Sequence, residues 1–103
     1  MKDLPTYQFL SSLRGGSARF GRILEAVRAA EGLTQGELGA RVGLSRGRVC
    51  DYEKGRRLVT PKVAAAIARS FGYDPARFIA FALEELLDKE GFQFSVVVGK
   101  KRT

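Results

Sequence analysis

Histidine is absent from this 103-residue chain, and cysteine occurs once, at Cys50. A zinc site built on Cys and His is therefore excluded for lack of ligands, as is a disulfide within the chain. A lone cysteine also fits a reducing cytosol, so the expected localisation is cytoplasmic. The sequence has no Cys/His pairing, no Ser/Lys or carboxylate pair in a recognisable setting, and no GxxxxGK[ST] cradle for phosphates. An enzyme is not expected and no cofactor is implied. No apolar run approaches the roughly 18–20 residues that span a bilayer. The opening MKDLPTYQF lacks the apolar centre of a secretory signal. Acidic residues are in short supply: 11 Asp and Glu face 18 Lys and Arg, for a net charge of +7.

A small basic domain is drawn to polyanions, of which nucleic acid is the usual one. Arg41, Arg46, Arg48, Lys54, Arg56 and Arg57 cluster against Glu37, Asp51 and Glu53, whereas the stretch from Asp74 to Glu90 is comparatively acidic. Hydrophobic residues make up 45% of the chain, enough for one core; the length suits a single domain.

Helix signals punctuate the sequence. A first helix starts after Ser17, carries Phe20, Ile23, Leu24, Val27 and Ala30 at helical spacing, and ends at Gly32. Thr34 caps a second helix, with Glu37 three residues on as its capping-box partner, and Gly43 stops it. Ser45 caps a third, which runs to about Lys54 and stops at Gly55. Thr60-Pro61 opens a fourth, burying Val63, Ala64, Ile67 and Phe71 and ending at Gly72. Asp74-Pro75 opens a fifth, ending near Lys89. After Gly91, Phe92, Phe94, Val96 and Val98 alternate with Gln93 and Ser95, which reads as a short strand. The basic end, Gly99 to Thr103, reads as a disordered tail. Residues 1–16 are open to two readings, a short helix behind Pro5 or a loose arm. The expected division is thus an arm or short helix at 1–16, a domain at 17–90, and a strand with a basic tail at 91–103.

The run Gln35 to Lys54 places Leu38, Val42, Leu44, Val49 and Tyr52 at core-facing spacing, with Gly39 and Gly43 where two helices approach and turn. That is the pattern of a helix-turn-helix, whose second helix enters the DNA major groove. With GLTQ at 32–35, EL at 37–38, VGLS at 42–45, YEKG at 52–55 and FGYDP at 71–75, the chain resembles the Cro/C1-type (XRE, phage-repressor-like) helix-turn-helix family from about Phe20 to Leu83. The implied fold is all-α: a five-helix lambda-repressor-like domain, here with a short C-terminal β-strand used in dimerisation.

The resemblance implies that Gln35 hydrogen-bonds a DNA phosphate, consistent with the free N–H groups of a helix start. It implies base reading from the positions of Arg46, Gly47 and Asp51. Arg46 can donate two hydrogen bonds to guanine, worth roughly 1–3 kcal/mol of discrimination, or clamp a phosphate instead. Arg48 divides between base and phosphate. Asp51 accepts from cytosine or holds Arg48 three residues earlier; the second role is preferred. Gly47 lacks a reading side chain and lets the backbone come close. Ser45, Lys54, Arg56, Arg57 and Lys62 complete the phosphate candidates. Glu53 and Arg28 match positions that often pair to tie the first helix to the third. Tyr52 and Val49 are core, and Cys50 is a small filler.

One helix reads few base pairs, so a homodimer on an inverted repeat is expected. Phe78 and Ala82 close the monomer core, with Ile79 at its margin. Phe81, Leu83, Leu86 and Leu87, with Phe92, Phe94, Val96 and Val98, are the dimerisation candidates; packing of the last segment within its own chain is the alternative. The implied function is a sequence-specific, double-stranded DNA-binding transcription regulator, most simply a repressor. The other reading is a DNA-binding antitoxin or adaptor that grips a different protein through residues 78–98.

Overall fold

The computed structural model describes residues 19–101. Five helices follow in order: α1 Arg19–Glu31, α2 Gln35–Val42, α3 Arg46–Glu53, α4 Pro61–Phe71 and α5 Pro75–Lys89. The readings of residues 1–16, of the Ser17 cap and of the last two residues lie outside the described residues.

Helix starts are fixed locally. The Thr34 hydroxyl accepts from the Glu37 N–H (3.1 Å) while the Glu37 carboxylate accepts from the Thr34 N–H (2.9 Å), the full capping box. Ser45, Thr60 and Asp74 cap α3, α4 and α5 by accepting from the N–H groups of Arg48, Val63 and Ala76. Pro61 and Pro75 stand in the first turn, where a missing N–H costs nothing. Gly43 and Gly72 close α2 and α4 at φ 74° and 80°, the left-handed region that a Cβ disfavours.

The apolar faces converge on one core. Phe20, Ile23, Leu24 and Val27 of α1 meet Leu38, Val49, Tyr52, Ile67, Phe71 and Phe78. Ala30 is exposed, and Ala26 packs on the core in its place. Phe78 stacks on Tyr73 (centroids 5.4 Å, 16°) and takes Phe20 edge-on (6.0 Å, 88°), preferred aromatic geometries. The Arg41 guanidinium lies 5.6 Å from the Phe71 ring centre, joining α2 to α4.

The expected C-terminal strand is not present: residues 92–101 form no strand, and no strand occurs among the described residues. The alternating pattern is real, but a strand also needs a neighbour for its backbone groups, and the described residues offer no second strand. Gly91, at φ 92°, turns the chain back, and the Phe92 N–H donates to the Leu87 carbonyl (2.9 Å). The segment then runs back along α5, where the Val96 N–H donates to the Glu84 carboxylate (2.8 Å). Val96 and Val98 are half-buried, whereas Phe92 and Phe94 are exposed and stacked on each other (5.9 Å, 17°).

Candidate nucleic-acid interface

The geometry between α2 and α3 is set by small residues and short bonds. The Leu44 N–H donates to the Gly39 carbonyl (2.8 Å), which tightens the turn. A Cβ on Gly39 would collide with the Leu44 carbonyl oxygen, so only glycine permits this approach. Gly21 of α1 plays the same part against α3: a Cβ there would lie 2.6 Å from the Tyr52 carbonyl oxygen. Sequence reasoning missed Gly21. The available signal was its place three residues before Leu24 and seven before Arg28, on the α1 face that meets α3.

α3 is locked from behind by Val49, Tyr52 and Glu53, all buried. Its opposite side presents Arg46 and Gly47, both exposed, with Arg48, Cys50 and Asp51 half-buried. Gly47 has open space around it, so nothing in the fold forbids a side chain there.

Glu53 is the junction behind this helix. Its Oε2 accepts from Arg28 Nε (2.8 Å), and its Oε1 accepts from both Arg28 Nη2 (3.1 Å) and Gln35 Nε2 (2.9 Å). The carboxylate is 4% exposed, and the bidentate pair binds α1 to the end of α3. Hydrogen bonding to Glu53 raises the Arg28 guanidinium above its ordinary value against the opposing effect of burial. Arg28 Nη1 also donates to the Leu33 carbonyl (3.3 Å), which steadies the turn into α2. The Arg28–Glu53 pair therefore stands as expected, and Gln35 is an added member.

The phosphate candidates fall in four places. Gln35, at the start of α2, lines an open cleft with Arg28, Thr34, Gly36 and Arg46. The two helix starts are thereby brought together. Ser45 is exposed at the start of α3. Lys54, Arg56 and Arg57 follow α3, with Lys54, Arg56 and Arg57 all on the outside, and Lys62 is exposed in the first turn of α4.

Asp51 does not hold Arg48. It pairs with Arg56, Oδ1 to Nη1 at 3.5 Å. Gly55, at φ 73°, folds the chain over the helix end, and the Arg56 N–H donates to the Asp51 carbonyl (2.9 Å). Arg56 is thus delivered to the side chain of Asp51 by the backbone turn.

The dimerisation candidates divide. Phe81 is half-buried and packs on the core, 6.1 Å from Phe78. Leu83, Leu87, Val96 and Val98 are half-buried. Leu86, Phe92 and Phe94 are exposed at 42, 50 and 63%, and Val97, which lay outside the expected set, at 93%. Sequence reasoning also missed Glu85, a fully buried carboxylate on α5. Only its neighbours in space distinguish it from Glu84.

A paired α2–turn–α3 unit with a basic, exposed outer face defines the helix-turn-helix class of DNA-binding domain. A family model described as a helix-turn-helix domain matches residues 19–78, more than half of the chain. The chain belongs to that family, a domain of the Cro/C1 (XRE) type of DNA-binding proteins. No curated protein and no solved structure matches it. Among the described residues, no helix is long and apolar enough to cross a membrane.

Proposed function

We propose that the protein is a sequence-specific transcription regulator, acting as a dimeric repressor that reads an inverted-repeat operator through the major groove. The observation that carries this reading is the outer face of α3: Arg46 and Gly47 exposed in its first turn, on a helix fixed from behind by Val49, Tyr52 and the Glu53 junction. Arg46 reads guanine, and Arg48 lies one step further along the groove. Gln35, Ser45, Lys54, Arg56, Arg57 and Lys62 hold phosphates on either side and set the register. Asp51 contributes mainly through Arg56. A dimer places two such helices about 34–36 Å apart, with Leu86, Phe92 and Phe94 between the two copies.

Selection of random duplex DNA on the purified protein, followed by sequencing, tests the reading. An enriched inverted repeat is expected, and Arg46→Ala should erase enrichment at specific guanines. Salt-sensitive binding to all duplexes with no enrichment would overturn it. The exposed, stacked Phe92 and Phe94 also support a second reading, an antitoxin or adaptor that grips a different protein through residues 78–98.

A further inference from the structure

We infer that the basic tail of one copy, at Lys100 and Lys101, docks on the acidic end of α5 of a second copy, at Asp88 and Glu90. The inference rests on the dimeric reading above and specifies how the two copies are oriented.

The direction of the C-terminal segment is the first observation. It touches Leu87 at Phe92 and Glu84 at Val96, so it runs antiparallel to α5. The tail is thereby carried away from the end of its own helix. Five extended residues from Val96 to Lys101 cover up to about 17 Å, which separates Lys100 and Lys101 from Asp88 and Glu90 of the same chain.

Charge is the second. Glu90, exposed, and Asp88, half-buried with its Oδ2 out of solvent and without a hydrogen-bond partner, sit at the C-terminus of α5, where the helix dipole already favours a cation. The lysine beside them, Lys89, is turned toward the segment after α3, its Nζ donating to the Gly55 carbonyl (3.3 Å). Lys100 and Lys101 are exposed, and neither is ion-paired among the described residues. Along the chain, the exposed Phe92 and Phe94, stacked on each other, and the exposed Val97 lie between the acidic end at Asp88 and Glu90 and the basic end at Lys100 and Lys101, and form the apolar patch of the proposal.

Symmetry supplies the occupant. A two-fold contact is self-complementary: the same patch is used on both copies. A two-fold axis through the middle of this patch sets the two C-terminal segments antiparallel and delivers each tail to the other copy's acidic end. The apolar patch is covered and both charge pairs close at once. Any other partner would have to supply its own basic group for Asp88 and Glu90 and its own acidic group for the lysines.

Sedimentation equilibrium on the full chain, at micromolar concentration and low salt, tests the proposal. Two charge-reversed chains are needed, Lys100→Glu with Lys101→Glu, and Asp88→Lys with Glu90→Lys, each checked for native helix content by circular dichroism. Each chain alone sets like charges against each other and should self-associate roughly tenfold or more weakly than the wild type. An equimolar mixture of the two should recover wild-type association, because in the mixed dimer both ends are again complementary. Tail contacts within one chain give no recovery on mixing, which would overturn the proposal. A wild-type dimer indifferent to both reversals removes the tail contact but leaves the dimer. A monomeric wild type removes both. Reversed tails that weaken DNA binding and leave self-association intact would make the tail a DNA arm instead.

Discussion

Glu53 ties three helices of this domain together. It sits in the core and receives three hydrogen bonds, two from Arg28 and one from Gln35. A buried ion pair gains little over an apolar pair of the same size, but removal of one partner leaves an uncompensated charge and costs about 3–5 kcal/mol. Arg28→Met is therefore expected to destabilise the domain by about 3 kcal/mol, toward the low end because Arg28 is partly exposed. Adding Glu53→Leu to that variant should recover part of the loss, since the charge left behind is gone. Urea unfolding of the two variants measures this, and a double variant less stable than the single would contradict it. The pair's role is orientation: it fixes the back of α3 and the side chain of Gln35 together, so α1, α2 and α3 are held in one arrangement.

Two glycines separate packing from propensity at the scale of helices. Gly21 lies against the α3 backbone, and Gly47 faces open space on the outer side of α3. Gly21→Ala forces α1 and α3 apart and is expected to cost about 1–3 kcal/mol. Gly47→Ala meets nothing and should stabilise α3 by about 0.5–1 kcal/mol. Thermal melts of the two variants should shift in opposite directions. The start of α2 adds a pH signature. The Thr34 backbone N–H, and then its hydroxyl, hold the Glu37 carboxyl below the ordinary carboxylate range. A lowered native value means that the cap's stabilisation is present at neutral pH and is lost as pH falls from the ordinary value through the lowered one. Glu37→Gln, which cannot ionise, should flatten that part of the acid-side decline in melting temperature.

These elements also mark what the sequence discloses. Thr34 with Glu37, Ser45, Thr60-Pro61, Asp74-Pro75 and the closing Gly43 and Gly72 are local signals, so all five helices are legible within a few residues. The outer face of α3 is legible too, because periodicity assigns Val49 and Tyr52 to the core. Illegible features depend on what lies across the fold. The alternation from Phe92 to Val98 describes a strand only if a neighbour exists. Gly21 and Glu85 are ordinary until their neighbours are known. Asp51 finds Arg56 because Gly55 reverses the chain, a tertiary fact that helical spacing to Arg48 cannot express.

For the whole molecule, the net charge of +7 governs how it meets DNA. Contacts to phosphate release counterions and make binding depend steeply on salt, whereas contacts to bases change the ratio between right and wrong sites. The proposed base and phosphate contacts lie on different parts of this domain, so they can be separated by measurement. Arg57 is exposed in the segment after α3 and, unlike Arg56, has no acidic partner among the described residues. Arg57→Ala is therefore expected to weaken binding to all duplexes by a similar factor. It should also lower the slope of log affinity against log salt by about one for each phosphate no longer neutralised. Arg56→Ala also frees Asp51, so it should weaken binding further by returning a negative charge to the interface. Arg46→Ala should instead leave non-specific binding nearly intact and compress the preference for the selected site, by roughly 1–3 kcal/mol at the guanine it reads. Fluorescence anisotropy titrations across a salt series, on the selected duplex and on a scrambled one, give both quantities for each variant. An unchanged slope for Arg57→Ala would take the segment after α3 off the DNA and leave the phosphates to the starts of α2, α3 and α4.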